Sequence, residues 1–302
     1  MAPPPGAGNV VVVGGGLMGT GIAHAFVAAG HAVTLVDTRD AALAGAASAI
    51  GSLLDEGVRR GKLAAEDARA ARGRLATSTD LAVALDSRPA DLLLETASED
   101  LAVKCAIVRD GGRHLPGAAI VATNTSALSV TEIAAAGDRP DRTVGMHFFN
   151  PVHKMRLVEV VRGMATSDET VALARAWSES LGKTSIVVNE SPGLTTSRMS
   201  ALMGNEAMHM LMSGVASAED IDTAMRLGFN HPMGPLELGD LTGWDTRLAV
   251  LRYLDATLGD RFRPCPLIVK LVNAGRTGRK AGAGVYEYAG GERVPGSGLR
   301  VR

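Results

Sequence analysis

The run Val10-Val11-Val12-Val13 ends directly on Gly14-x-Gly16-x-x-Gly19, and this junction limits the fold more than any other part of the chain. A short apolar run of this kind reads as a buried strand. Leu17 to Ala29 is then rich in helix formers up to Gly30, and a second β-rich run, Ala32 to Val36, ends on Asp37. In a dinucleotide-binding unit of this order, Gly14 permits the tight turn, Gly16 lets backbone approach a pyrophosphate, and Gly19 allows close helix–strand packing. The helix start at Leu17 and Met18 offers free N–H groups and a positive dipole to the phosphates. Asp37 follows Gly19 at about the spacing of the acid that binds the adenine ribose diol. A carboxylate there favours NAD and repels the 2′-phosphate of NADP, whereas the nearby Arg39 would accommodate it. A glycine turn of structural use alone is the competing reading.

Asp91 to Leu94 and Ala119 to Ala122 are further apolar runs, separated by helical stretches around Leu101 to Arg109 and Thr131 to Ala136. Strands alternating with helices predict an α/β fold with a Rossmann-type, doubly wound parallel sheet. Between Ala41 and Leu75 the sequence is rich in Ala and charged residues and lacks strand signals, which predicts an inserted helical hairpin turning near Gly61-Lys62. Its Arg59, Arg60 and Lys62 either form a solvated face or meet the phosphates of a ligand. Ser185 to Val188 reads as a last strand, and Ser191-Pro192-Gly193 marks a boundary. Beyond it, Thr195 to Met212, Ala218 to Leu227 and Thr246 to Leu258 read as helices of an all-α C-terminal domain. Met199, Met203, Met208, Met210 and Met212 suit apolar packing or a subunit interface. The expected division is a disordered leader over 1–8, a dinucleotide-binding domain over 9–190, and a helical substrate and dimerisation domain over 191–302.

The 302 residues carry a formal net charge of −1 and only 3% aromatics, which argues against a nucleic-acid platform. Cys105 and Cys265 are far apart, giving neither a disulfide framework nor a zinc cluster, so no metal is expected. No stretch is long and apolar enough for a membrane span, and the Pro- and Gly-rich start does not read as a signal peptide. A cytoplasmic protein is the expectation.

Among seven histidines, His147 stands out. It ends the run Thr143-Val144-Gly145-Met146, which places it at the C-terminal edge of a strand, where open α/β sheets bind ligands. His24 and His31 suit packing or surface roles, and His114, His153, His209 and His231 lack a pairing signal. Glu159 lies within Leu157-Val158-Glu159-Val160-Val161, where a carboxylate is costly unless paired. It is either a surface residue on an edge strand or the group that fixes the tautomer of His147 and stabilises its imidazolium.

The stretch Gly145-Met146-His147-Phe148-Phe149-Asn150-Pro151 through Leu157-Val158-Glu159-Val160-Val161 resembles the L-3-hydroxyacyl-CoA dehydrogenase family, on its bacterial 3-hydroxybutyryl-CoA branch. The resemblance runs from about Asn9 to Tyr288. It also takes in Asn124-Thr125-Ser126, Ser191-Pro192-Gly193, Asn230-His231-Pro232-Met233-Gly234-Pro235 and Gly278-Arg279-Lys280-x-Gly282-x-Gly284. It implies an NAD-dependent oxidoreductase acting on the 3-hydroxyl of a short acyl-CoA, with His147 as general base and acid and Glu159 as its partner. Ser126 is implied to bond the reacting oxygen; otherwise Thr125 or Ser126 is a helix N-cap. The resemblance further places Asn150 on the nicotinamide side, and Glu99, Lys104 and Lys280 at the cofactor or the cleft; the alternative for each of these three is an ordinary surface charge. It implies a homodimer through the helical domain.

Ser197 departs from the pattern, because the family has Asn at this position. A hydroxyl donates one hydrogen bond but cannot supply both amide functions, and losing one polar contact costs about 1–3 kcal/mol. The same chemistry on an acyl-carrier-protein thioester, or on a longer or dicarboxylic chain, is a second reading. A non-catalytic NAD-binding structural or regulatory subunit is a third, of another class.

Overall fold

The structure is a computed structural model that describes residues 7–300. The chain divides into two compact units, Met1–Glu190 and Ser191–Arg302. Most of the proposed leader, residues 1–6, lies outside the described residues. Gly8 is tied in: its N–H donates to His31 Nδ1 at 3.2 Å, and its carbonyl accepts from Ala32.

The first unit runs β1 (Asn9–Val13), α1 (Leu17–Ala28), β2 (Ala32–Val36), α2 (Asp40–Arg59), α3 (Ala65–Gly73), β3 (Leu75–Ser78), α4 (Leu81–Ser87) and β4 (Leu92–Glu95). It continues with α5 (Leu101–Gly112), β5 (Ile120–Thr123), α6 (Val130–Ala135), β6 (Thr143–Phe148), β7 (Leu157–Arg162), α7 (Asp168–Ser180) and β8 (Thr184–Asn189). The eight strands form one sheet in the order β3-β2-β1-β4-β5-β6-β7-β8. Strand order reverses between β1 and β4, the switch point at which open α/β sheets hold ligands.

Each strand turns alternate residues to opposite faces. Val10 and Val12 of β1 join Phe26, Leu54 and Trp177 in one core, while Val11 and Val13 join Leu85, Leu93 and Val108 in another. Helices therefore cover both faces of the sheet, as the strand–helix alternation predicts. The inserted hairpin is α2 and α3, and Gly61 at its turn has φ +64°.

Four elements of this unit differ from the sequence reading, one of them α4, a short helix capped by Asp80 that no sequence pattern announced. β3 is a strand of four residues, Leu75-Ala76-Thr77-Ser78, formed by pairing with β2 at the sheet edge, and it has no apolar run to announce it. β7 runs antiparallel to β6, because loop 149–156 is too short for a crossover between parallel strands. α7 went unread, although Ser167 accepts from Thr170 N as its N-cap and Asp168 and Glu169 follow in the first turn.

His24 of α1 gives this unit a pH dependence. Its Nδ1 is buried and finds no hydrogen-bond partner among the described residues. Burial first, then the charges of His153 and Lys183, lower its pKa to about 4. A depressed imidazole favours the neutral form in the folded state, so stability is complete above the unfolded value near 6.5 and falls as pH drops toward 4. The loss should be on the order of 2 kcal/mol, allowing for the ring's partial exposure. Denaturant titrations at neutral pH and near pH 4.5 should therefore show a smaller acid loss in His24→Gln than in wild type. Equal losses would assign the acid sensitivity elsewhere.

The second unit contains α8 (Thr196–Met212), α9 (Ala218–Gly228), α10 (Pro235–Thr242), α11 (Trp244–Leu258), α12 (Pro266–Asn273) and a small antiparallel pair, β9 (Tyr288–Ala289) and β10 (Glu292–Arg293). It is helical apart from that pair. Its apolar core includes Met208, Leu236, Trp244, Leu251, Phe262 and Tyr286. Met210 and Met212 pack against this core, whereas Met199 is exposed. Among the described residues no helix is long and apolar enough to cross a membrane, and no cluster of His, Cys, Asp and Glu could hold a metal ion.

Candidate active site

The turn between β1 and α1 fits a pyrophosphate at each of its three glycines. Gly14 has φ +110°, and a Cβ there would lie 2.8 Å from the Thr96 carbonyl oxygen. At Gly19 a Cβ would meet the Gly14 carbonyl oxygen at 1.8 Å, so any side chain would push helix and turn apart. At Gly16 a Cβ would meet nothing within 4 Å, which leaves the open approach that a phosphate needs. α1 has no side-chain cap, so the first N–H groups, including those of Leu17 and Met18, remain for an anion. Thr96 completes the turn by donating from Oγ1 to the Val13 and Gly14 carbonyls at 2.9 and 3.2 Å. A lone Thr after β4 gives no sequence signal for this role.

Asp37 stands at the end of β2, where Oδ2 accepts from Gly15 N at 2.9 Å and Oδ1 from Arg39 N at 3.0 Å. Burial pushes this carboxyl up, but the two backbone bonds and the Arg39 guanidinium outweigh it and hold the group below its ordinary value. The exposed Arg39 side chain lies 3.5 Å from Asp37 Oδ1, so it pairs with the acid beside the turn.

Near the C-terminal end of β6 and the N-terminal end of the antiparallel β7, the register sets His147 directly opposite Glu159. Nδ1 of His147 lies 2.8 Å from Glu159 Oε2, with the imidazole side chain 10% and the carboxylate 0% exposed. β7 lies between β6 and β8, so Glu159 is not the edge-strand surface residue that was the alternative. An ionised carboxylate only accepts, so Nδ1 carries the proton and Nε2 of the neutral ring is left as the acceptor. The pair can take a proton at Nε2 and stabilise the resulting imidazolium.

The turn after β5 carries Asn124, Thr125 and Ser126. Asn124 Oδ1 accepts from Phe148 N at 2.8 Å, bracing the strand end that bears His147, a role the sequence reading did not assign. Glu99 Oε1 accepts from Thr125 Oγ1 at 2.6 Å, Ser126 N at 2.9 Å and Ala127 N at 3.2 Å. Burial raises this carboxyl, but Thr125, Lys104 and Ser126 together hold it below its ordinary value. Lys104 is buried and pairs with both Glu95 and Glu99, so neither reading as a surface charge nor simple exposure at the cleft describes it. Glu95 carries no sequence signal for this role, since Leu92-Leu93-Leu94-Glu95 reads only as a strand end. The N-cap of α6 is Ser129, accepting from Glu132 N, in place of Thr125 or Ser126. The Ser126 and Asn150 side chains are exposed, as are Arg59 and Lys62 on the hairpin. Arg59, Arg69 and Arg72 line an open groove between α2 and α3 together with Asp55.

In the second unit, Ser197 lies half-buried in the first turn of α8. Lys280 Nζ donates to Asp245 Oδ2 at 2.6 Å. That hydrogen bond is the main cause holding the Asp245 carboxyl below its ordinary value.

A glycine cradle at the switch point, with an acid ending β2, defines a Rossmann-type NAD-binding oxidoreductase. Residues 9–191 match the family model of the 3-hydroxyacyl-CoA dehydrogenase NAD binding domain, and residues 193–288 that of the 3-hydroxyacyl-CoA dehydrogenase C-terminal domain. The chain therefore belongs to the 3-hydroxyacyl-CoA dehydrogenase family. It is 41% identical over 281 residues to a probable 3-hydroxybutyryl-CoA dehydrogenase of Bacillus subtilis, covering 93% of this chain and 97% of the relative. It is 42% identical over 289 residues to a 3-hydroxybutyryl-CoA dehydrogenase of Bradyrhizobium diazoefficiens, covering 95% and 97%. The crystal structure of (S)-3-hydroxybutyryl-CoA dehydrogenase from Ralstonia eutropha is similar with a TM-score of 0.89 and 42% identity, covering 94% of this chain and 100% of that one.

Proposed function

We propose that this enzyme interconverts the 3-hydroxyl and 3-keto forms of a short acyl-CoA, most simply 3-hydroxybutyryl-CoA and acetoacetyl-CoA. The observation that carries this reading is the His147–Glu159 pair, 2.8 Å apart at the carboxyl edge of the sheet. Bound NAD would supply the acceptor for the hydride that leaves C3 in oxidation, and NADH the hydride in reduction. Gly14, Gly16, Leu17, Met18, Gly19 and Asp37 would hold the dinucleotide, with Asn150 on its nicotinamide side and Glu99, Lys104 and Lys280 at the cofactor or the cleft. His147 Nε2 takes the hydroxyl proton in oxidation and returns it to the oxygen in reduction. Glu159 holds the ring in the Nδ1–H tautomer and offsets the charge that forms. Ser126 donates a hydrogen bond to the reacting oxygen, and Ser197 supplies one donor where the family pattern has an amide.

Arg59 and Lys62 on the hairpin serve the phosphates of the carrier. The helical unit, residues 191–302, serves substrate binding and pairing into a homodimer, in a cytoplasmic role in fatty acid metabolism. The deciding experiment follows the loss of NADH absorbance with acetoacetyl-CoA and, separately, with acetoacetyl-acyl-carrier protein. Turnover of the CoA thioester is expected. Turnover restricted to the carrier-protein thioester would overturn the choice of carrier, and NADH binding without turnover of either would point to a non-catalytic subunit.

A further inference from the structure

We propose that Glu95 is a positioning residue, acting through Lys104 and Glu99 on the Thr125–Ala127 turn that presents Ser126. The role given to Ser126 rests on the function proposed above. The ionic chain itself rests on geometry alone.

Glu95 ends β4 in the middle of the sheet, paired in register with Val13 of β1 and Thr123 of β5. A carboxylate with no exposure at such a place requires a counter-charge and full hydrogen bonding. Lys104, one turn into α5 and 1% exposed, supplies the charge: its Nζ lies 3.0 Å from both Glu95 oxygens. Ala97 N and Thr123 Oγ1 donate to the same carboxylate, each at 2.6 Å.

The ammonium does not stop at Glu95. Nζ is also 3.3 Å from Glu99 Oε2 and 3.5 Å from the Ala97 carbonyl, so its three protons are spent within the protein. Glu99 is different in kind, because its side chain is 41% exposed and would turn to solvent without a tether. Lys104 holds one of its oxygens, and the other gathers Thr125 Oγ1, Ser126 N and Ala127 N. Glu95 fixes Lys104, Lys104 fixes Glu99, and Glu99 fixes the turn.

A buried ion pair alone gives little stability over an apolar pair of similar volume. Here the pair ends on an exposed carboxylate and two backbone amides at the carboxyl edge, which is a reason to keep it. Neutralising Glu95 as an amide removes its charge and one of the two acceptors that locate Nζ, which loosens the tether on Glu99.

The test compares Glu95→Gln with the double variant Glu95→Gln/Lys104→Met, which removes both buried charges together and so avoids stranding the ammonium. Amide hydrogen exchange across residues 123–129 is expected to accelerate about tenfold or more in both, as a local opening would produce. With acetoacetyl-CoA, kcat should fall roughly 10²-fold in both, the size expected of a misplaced contact. NADH affinity, read by fluorescence titration, should fall far less than kcat, and the melting temperature of the double variant should return toward wild type.

A double variant with wild-type kcat and slow exchange would reduce the pair to a structural element and overturn the proposal. Slow exchange with weakened NADH binding would also overturn it, by making Lys104 a direct cofactor contact. If the wild type does not turn over acetoacetyl-CoA, the functional reading fails while the exchange measurement still decides the positioning role.

Discussion

His147→Ala should lower kcat for reduction of acetoacetyl-CoA by about 10²–10⁴-fold, the contribution of a well-placed general acid. The ring's Nδ1 is committed to Glu159, so Nε2 alone faces the chemistry, and alanine leaves nothing at that point to exchange a proton. The substitution also leaves a fully buried carboxylate without the imidazole, which lowers stability as well as rate. His147→Gln separates the two effects, because its amide can still donate to Glu159 but cannot shuttle a proton at neutral pH. Both variants are expected to bind NADH and to lose kcat. Wild-type kcat in His147→Gln with NADH bound would remove His147 from the mechanism.

Glu159→Gln should cost a comparable amount in the oxidation direction, on the order of 10²–10⁴-fold in kcat, as wrong-tautomer variants of orienting carboxylates do. A carboxylate can only accept from Nδ1, whereas an amide can turn its NH₂ toward the ring. The proton then sits on Nε2, and the base can no longer accept from a hydroxyl. The imidazolium would also face a neutral partner where a charge had offset it. Glu159→Asp keeps the charge but is one methylene shorter, so it should recover part of the rate. Steady-state oxidation of 3-hydroxybutyryl-CoA by the three proteins checks this, and equal rates in Glu159→Gln and wild type would mean that the carboxylate is structural only.

Most of the first unit could be read from Val10–Val13, Ala32–Val36 and the later apolar runs, because strands buried on both faces carry continuous hydrophobic sequence. β3 could not, since Leu75-Ala76-Thr77-Ser78 is a strand only by virtue of its pairing with β2. The antiparallel course of β7 was implicit in the length of loop 149–156, a constraint the strand pattern does not display. At the site, His147 and Glu159 were legible because a carboxylate in an apolar run is anomalous. Asn124 and Thr96 were not, because they act by bonds to the backbone of residues far along the chain, Phe148 for the first and Val13 and Gly14 for the second. Glu95 was hidden in the same way, as an ordinary strand terminus whose counter-ion sits on the next helix.

The register of β6 against β7 also bears on how such an enzyme can diversify. His147 and Glu159 are opposed by the ladder of Gly145↔Val161, Met146↔Val160 and Phe148↔Val158, so backbone pairing sets their spacing. Loop 149–156 joins the two strands and lays Phe149 on the imidazole with ring centroids 4.6 Å apart, yet the 2.8 Å contact itself is set by the ladder. Exposed side chains of the loop such as Lys154 and Arg156 can be exchanged, retuning what the loop meets, while backbone pairing keeps the proton-handling pair in place.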